Sequence, residues 1–157
     1  MKVVIQRVKN ASVSVNQKDV GRIDQGYLLL VGFDQGDHQN IIQPMLNKIC
    51  HLKLFPDEDG RFAYSLEEIR GELLIVSQFT LSAELKKGKK PSFSKAMEPQ
   101  KAEQMYDMFV ELSKESGIPV QTGQFGEMMQ VSLQNDGPVT ILMDSNELFP
   151  SLVQSES

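Results

Sequence analysis

The chain has 157 residues, 40% of them hydrophobic and 24% charged, the composition of an ordinary globule able to bury about two-thirds of its extended surface. A net charge of −5 argues against general polyanion affinity but leaves room for a local basic patch. One cysteine excludes an intrachain disulfide, and no segment approaches the roughly 20 apolar residues that span a bilayer.

Along the chain, "VVIQRV", "ASVSV", "DVGRI" and "GYLLLVGF" predict four strands within the first third, punctuated by Asn and Gly. A turn follows at Asp34–Asp37. Ile41, Ile42, Met45, Leu46, Ile49 and Leu52 then recur at helical spacing, with Asp37 as the expected N-cap. "KLFPDEDGRFAYS" reads as a short strand and a turn, and "GELLIVSQFTL" as a fully buried strand. Pro99 opens a second helix whose stripe is Ala102, Met105, Tyr106, Phe109 and Leu112. "VQTGQF", "EMMQVSL" and "PVTILMD" are the last strands, and "SNELFPSLVQSES" the expected fraying tail. The pattern predicts one domain over residues 1–145, of α/β or α+β class, with curved, mostly antiparallel sheet and two main helices. Residues 146–157 form the tail. The opening "MKVVIQRV" lacks the apolar stretch of a signal peptide, so the expected location is cytoplasmic.

The usual catalytic signatures are missing. Cys50 and His51 are adjacent on a predicted helix and point apart, which favours a core thiol beside a surface imidazole. No metal-ligand spacing and no phosphate-cradling glycine motif occurs, so neither metal nor cofactor is expected. "FPDEDGR" lacks the distal glutamate of a calcium loop and reads as an acidic turn.

Three stretches remain. In "VSQFTL", Ser77, Gln78 and Thr80 gather two hydroxyls and an amide at the end of a buried strand. Strand geometry would put Gln78 and Thr80 on one face and Ser77 with Phe79 on the other. The plain alternative is an ordinary polar strand end. In "QVSLQNDGPVTILMD", a Gly-Pro interrupts two apolar runs that a two-residue turn would have joined. It is either a trans bond in a tight loop, the commoner case, or a cis bond, which costs only about 0.5–1 kcal/mol before proline. In "ELKKGKKPSFSKA", Lys86, Lys87, Lys89, Lys90 and Lys95 surround Phe93, a pattern suited to phosphate contact with base stacking, or simply to a solvated loop.

Together, "SQFTL", "NDGPVT", "VIQRVKNASVSV" and "KGKKPSFSKA" resemble the D-aminoacyl-tRNA deacylases, and the likeness covers roughly residues 1–143. Two stretches depart from it. Arg61-Phe62-Ala63 stands where Lys-Met-Asn is usual, so no pocket role is carried onto those positions, and Lys90 stands where arginine is common. The resemblance implies a barrel-like deacylase fold and a homodimer that hydrolyses the ester joining a D-amino acid to the 3′ end of tRNA, and glycyl-tRNA too. It implies a cis Gly137-Pro138 reaching into the partner's pocket, its carbonyls leaving no room for an L side chain, with Arg7 holding them from behind. Ser77, Gln78 and Thr80 would serve catalysis, and Phe79, Ala102 and Met129 would line the substrate. Lys86, Lys87, Lys89 and Lys90 would meet the tRNA. The rival expectations are another editing esterase on the same fold, a non-catalytic RNA-binding module, and a purely structural dimer.

Overall fold

The computed structural model describes residues 1–154. The alternating apolar residues of the N-terminal stretch build a single long strand, β1 (Lys2–Val15), where two were expected. β2 (Lys18–Ile23) and β3 (Gly26–Gly32) follow, both pairing with β1. Along one edge β1 pairs antiparallel with β3 through residues 2–8 and with β2 through residues 11–15. Then come α1 (Ile42–His51), the hairpin of β4 (Lys53–Pro56) and β5 (Phe62–Ser65), and β6 (Glu72–Ser77). α2 (Pro99–Glu115), β7 (Val120–Thr122) and β8 (Gln130–Asp144) complete the main body.

The six-stranded sheet has the order β2-β1-β3-β6-β7, with β8 on the other edge of β1. Its β3–β6 and β6–β7 pairs are parallel and the rest antiparallel. The sheet curls until β2 lies against β7. There a Cβ on Gly21 would come within 2.7 Å of the Thr122 carbonyl oxygen, so only glycine allows the approach. The barrel-like α/β architecture is the one expected.

Two apolar layers explain the continuous apolar runs of β3 and β6, whose faces are both buried. Tyr27, Leu29, Leu73 and Ile75 point to one side and pack with Met45, Leu46 and Ile49 of α1 and Tyr106 and Phe109 of α2. Leu28, Leu74 and Val76 point to the other and meet Val8, Ala11 and Val13 inside the curl. Each fully buried side chain of this size contributes about 1.5–3 kcal/mol. α2 begins as expected at Pro99, and the Glu98 carboxylate caps it by accepting from the N–H groups of Gln100 and Lys101.

Local expectations differ in four further places. Asp37 does not cap α1, whose N-cap is Ile41. Its carboxylate instead accepts from the Asp34 N–H at 2.6 Å and lies 2.5 Å from the Met1 ammonium, because a 3-10 turn over Gln39–Ile41 intervenes. β6 stops at Ser77, and Phe79–Ser82 winds into a 3-10 turn. The two strands expected on either side of Gly137-Pro138 are one strand, β8, since both halves pair with β1. Finally, Ser145–Leu148 and Pro150–Val153 form short helices, α3 and α4, whose Phe149, Leu152 and Val153 pack on the core. Of the expected tail, 155–157 lie outside the described residues. Cys50 is buried, and burial pushes its thiol up, while His51 is exposed with Nδ1 2.7 Å from the Asn47 carbonyl.

Candidate active site

The polar end of β6 is shaped by its neighbour. Where β3 ends, the Val31 carbonyl accepts from the Gln78 N–H at 2.7 Å, and the chain leaves the sheet. The 3-10 turn then folds Thr80 back toward Gln78, so that Gln78 Nε2 donates to Thr80 Oγ1 at 2.5 Å. The two side chains meet as expected, by a turn instead of by strand alternation. The same turn leaves Phe79 exposed, edge-on to Phe93 with ring centroids 5.0 Å apart.

Ser77, Gln78 and Phe79 border a mostly apolar cavity of about 430 Å³ that Phe93, Tyr106 and Phe125 also line. Ala102 of α2 is part of its wall. The Tyr106 hydroxyl donates to the Ile75 carbonyl at 2.8 Å, which orients the ring, and burial pushes its phenol up. Such a concave apolar pocket with a few convergent polar groups is the usual form of a small-ligand site. A larger depression of about 710 Å³ is lined by Lys2, Asp34, Asp37 and His38 among others. Several of its charges are already paired, Lys2 with Asp34 at 3.1 Å and Asp37 with the Met1 ammonium, so the apolar cavity is the better candidate.

The lysines sit on a loop rooted at the rim of the cavity. Glu84 and Ser92 exchange backbone hydrogen bonds of 2.8 and 3.0 Å, closing a loop that carries the exposed Lys86, Lys87, Lys89 and Lys90. Below this neck, Lys95 Nζ lies 2.9 Å from Glu84 Oε1, and Ser94 Oγ donates to Glu84 Oε2 at 3.1 Å. The hydrogen bond from Lys95, and then that from Ser94, hold the Glu84 carboxyl below its ordinary range. Phe93, next after the neck, is the ring that meets Phe79.

Gly137 and Pro138 lie elsewhere. In the pairing of β8 with β1, Asn135 faces Val8 and Thr140 faces Gln6. Asp136 to Val139 therefore oppose Arg7 alone, and the extra residues bow out as a bulge. Its Gly137–Pro138 peptide is cis. Gly137 has φ of +148°, and a Cβ there would lie 2.8 Å from the Val139 nitrogen. Arg7 is buried behind the bulge, with Nε donating to the Asp136 carbonyl at 2.7 Å and Nη1 to the Leu54 carbonyl at 2.5 Å. Neither Arg7 nor the bulge is among the residues lining the cavity. Met129 is also absent from that wall and packs against the second apolar layer, beside Gly123. Thr80 reaches the cavity only through Gln78.

Sequence reasoning did not single out Met97 or Phe125 for this cavity, because long-range folding brings them there and no local pattern marks them. It also passed over Asn135, whose side chain bonds across the bulge. Among the described residues, no group of three or more His, Cys, Asp or Glu is placed to hold a metal, and no helix is long and apolar enough to cross a membrane.

A hydroxyl- and amide-edged apolar pocket with a cationic loop at its rim is the arrangement that a hydrolase of polyanion-borne esters would need. Known proteins bear out that class. The profile described as "D-Tyr-tRNA(Tyr) deacylase" matches residues 4–144. A "D-aminoacyl-tRNA deacylase" of Aquifex aeolicus (strain VF5) is 50% identical over 148 residues, covering 94% of this chain and all of that relative. One of the same description from Thermosipho africanus (strain TCF52B) is 49% identical over 149 residues, 95% of this chain and all of that relative. The solved structure of a "c-Myc DNA Unwinding Element Binding Protein" superimposes with a TM-score of 0.86 at 40% identity, over 92% of this chain and 99% of that one. The chain belongs to the D-Tyr-tRNA(Tyr) deacylase family. Membership places it among the hydrolases that deacylate D-aminoacyl-tRNA, as the resemblance implied.

Proposed function

We propose that this chain hydrolyses the ester of D-aminoacyl-tRNA in the cytoplasm, as a homodimer whose two subunits each supply part of every site. One observation carries the reading. The polar edge at Ser77 and Gln78, with Thr80 bonded to Gln78, opens on the apolar cavity, whereas the Arg7-backed bulge at Gly137–Pro138 is not part of its wall in the same chain. A partner's bulge set over this cavity would present main-chain carbonyls to the α-carbon of the bound amino acid. A D side chain would then point away, an L side chain would collide, and glycine, with nothing to collide, would also be hydrolysed.

The chemistry asks little of side chains because an aminoacyl ester is already activated. Water adds to the carbonyl carbon, the acyl–oxygen bond breaks, and the ribose 3′-oxygen leaves with a proton as the hydroxyl. The backbone N–H groups of Phe79 and Thr80 and the Gln78 carboxamide stabilise the oxyanion. One well-aimed donor of this kind is worth about 10²–10³-fold, and positioning adds several kcal/mol. Gln78 Nε2 has two hydrogens, so donation to Thr80 leaves one for the substrate. The neighbouring ribose 2′-hydroxyl assists proton movement. Thr80 positions the ester or water and is not the nucleophile, since its Oγ1 accepts from Gln78 Nε2 and, among the described residues, no His, Lys or carboxylate bonds to it. Ser77 and Ala102 line the pocket, and the lysine loop holds the tRNA.

The test is to incubate purified protein with D-tyrosyl-tRNA and with L-tyrosyl-tRNA and follow free amino acid. Release from the D substrate alone is the expected result, and equal release from both would overturn the chiral reading. Bound tRNA with no release would favour the RNA-binding rival.

A further inference from the structure

We infer that Asn135 is a positioning residue for stereochemical discrimination, its carboxamide holding the Gly137–Pro138 bulge in the shape that meets the substrate. Asn135 is the last β8 residue to pair with β1 before the bulge, and Thr140 is the first to resume. The strand must bridge this neck while the residues between them lack backbone partners in β1. The Asn135 side chain spans it. Oδ1 accepts from the Val139 N–H at 2.8 Å, and Nδ2 donates both to the Val139 carbonyl and to Thr140 Oγ1, each at 3.1 Å. A carboxamide carries one acceptor and two donors in one plane, so it satisfies both polar groups of Val139 as a neighbouring strand would.

The opposite side of the bulge is fixed by Arg7, through the Asp136 carbonyl at 2.7 Å. The two residues divide the work. Arg7 anchors the residue before Gly137, and Asn135 anchors the residue after Pro138. Without Asn135 the downstream anchor is gone, and the carbonyls between the anchors gain freedom to swing. Looser carbonyls admit an L side chain. The effect therefore falls on discrimination more than on turnover, because the amide bonds to the bulge and not to the groups proposed to act on the ester.

This inference rests on the main-chain wall proposed above, and three variants separate the two ideas. Rates on D- and L-tyrosyl-tRNA are measured for the wild type, Gly137→Ala, Asn135→Ala and Asn135→Asp. Asn135→Ala should lower the D-to-L rate ratio at least tenfold, chiefly by raising hydrolysis of the L substrate. Asn135→Asp keeps the acceptor for the Val139 N–H and loses both donated bonds, so its ratio should fall between wild type and Asn135→Ala. It also serves as the readable variant if Asn135→Ala does not fold. An unchanged ratio in the Asn135 variants, with Gly137→Ala impaired in discrimination, would overturn the role of Asn135 and leave the wall standing. An unchanged ratio in all three would overturn the wall, and this inference with it. Equal losses on both substrates in the Asn135 variants would mark a general structural role and likewise overturn it.

Discussion

At the scale of single residues, Thr80 and Gln78 form one hydrogen-bonded unit at the proposed site. Thr80→Ala should stay within about tenfold of the wild-type rate on D-tyrosyl-tRNA, whereas loss of an obligatory nucleophile costs on the order of 10⁴-fold or more. Trapping a Thr80 acyl ester would contradict this directly. Tyr106 illustrates a residue whose part is structural. Its hydroxyl and the Gly123 N–H at 3.1 Å share the Ile75 carbonyl, so Tyr106→Phe removes one of two partners. A loss of about 1 kcal/mol in denaturant stability, with little change in rate, is the expected outcome. The residue types at Ser77, Gln78 and Thr80 were legible in the sequence because polar groups ending an apolar run stand out. Their contact was not, since it depends on a 3-10 turn that strand alternation cannot foresee.

At the scale of elements, the lysine loop has a neck that fixes where its cations stand. Glu84 has its pKa lowered from 4.5 in the folded chain, so its bond to Lys95 contributes above that pH and is lost as pH falls through the folded value. Lys95 is shifted upward from 10.5 by the Glu84 hydrogen bond, so its contribution is present below that pH and is lost as pH rises through the folded value. The neck should therefore be constant across neutral pH. In a carboxylate titration followed by NMR, Glu84 should show a midpoint under 4.5 that moves back toward it in Lys95→Met. Because both groups are exposed, the effect on overall stability should be slight. The cations on the loop should make tRNA affinity fall with salt, and replacing one phosphate-contacting lysine should reduce the log–log slope by about 0.7. Affinity insensitive to salt would remove the loop from recognition. Both main helices were legible from their 3.6-residue stripes and from Pro99. The single long β8 was not, because a Gly-Pro reads as a stop unless a partner strand is seen to continue past it.

At the scale of the whole molecule, the separation of cavity and bulge within one chain makes complementation the decisive measurement. A variant disabled in the pocket at Gln78 and one disabled in the bulge at Gly137 should each lose selective deacylation. Mixed and allowed to exchange subunits, they should regain up to about a quarter of the wild-type activity, the share contributed by sites that draw one good half from each parent. No recovery, or a monomer in sedimentation, would place both halves of the site in one chain. The curled sheet and two-sided core were largely readable from apolar period and run length. The β2–β7 closure was not, because it depends on Gly21 meeting a strand about 100 residues away. The bulge itself has a further consequence for protein engineering. Four consecutive residues set against one are a matter of chain length, and the main-chain carbonyls proposed to face the substrate are common to every amino acid. Libraries of side-chain exchanges would alter the supports and the fit of that segment, as Gly137→Ala does, while its main-chain carbonyls stay the same. Exchanges such as Asn135→Ala loosen discrimination, whereas a reversed handedness preference would have to be sought by inserting or deleting residues between Asn135 and Thr140.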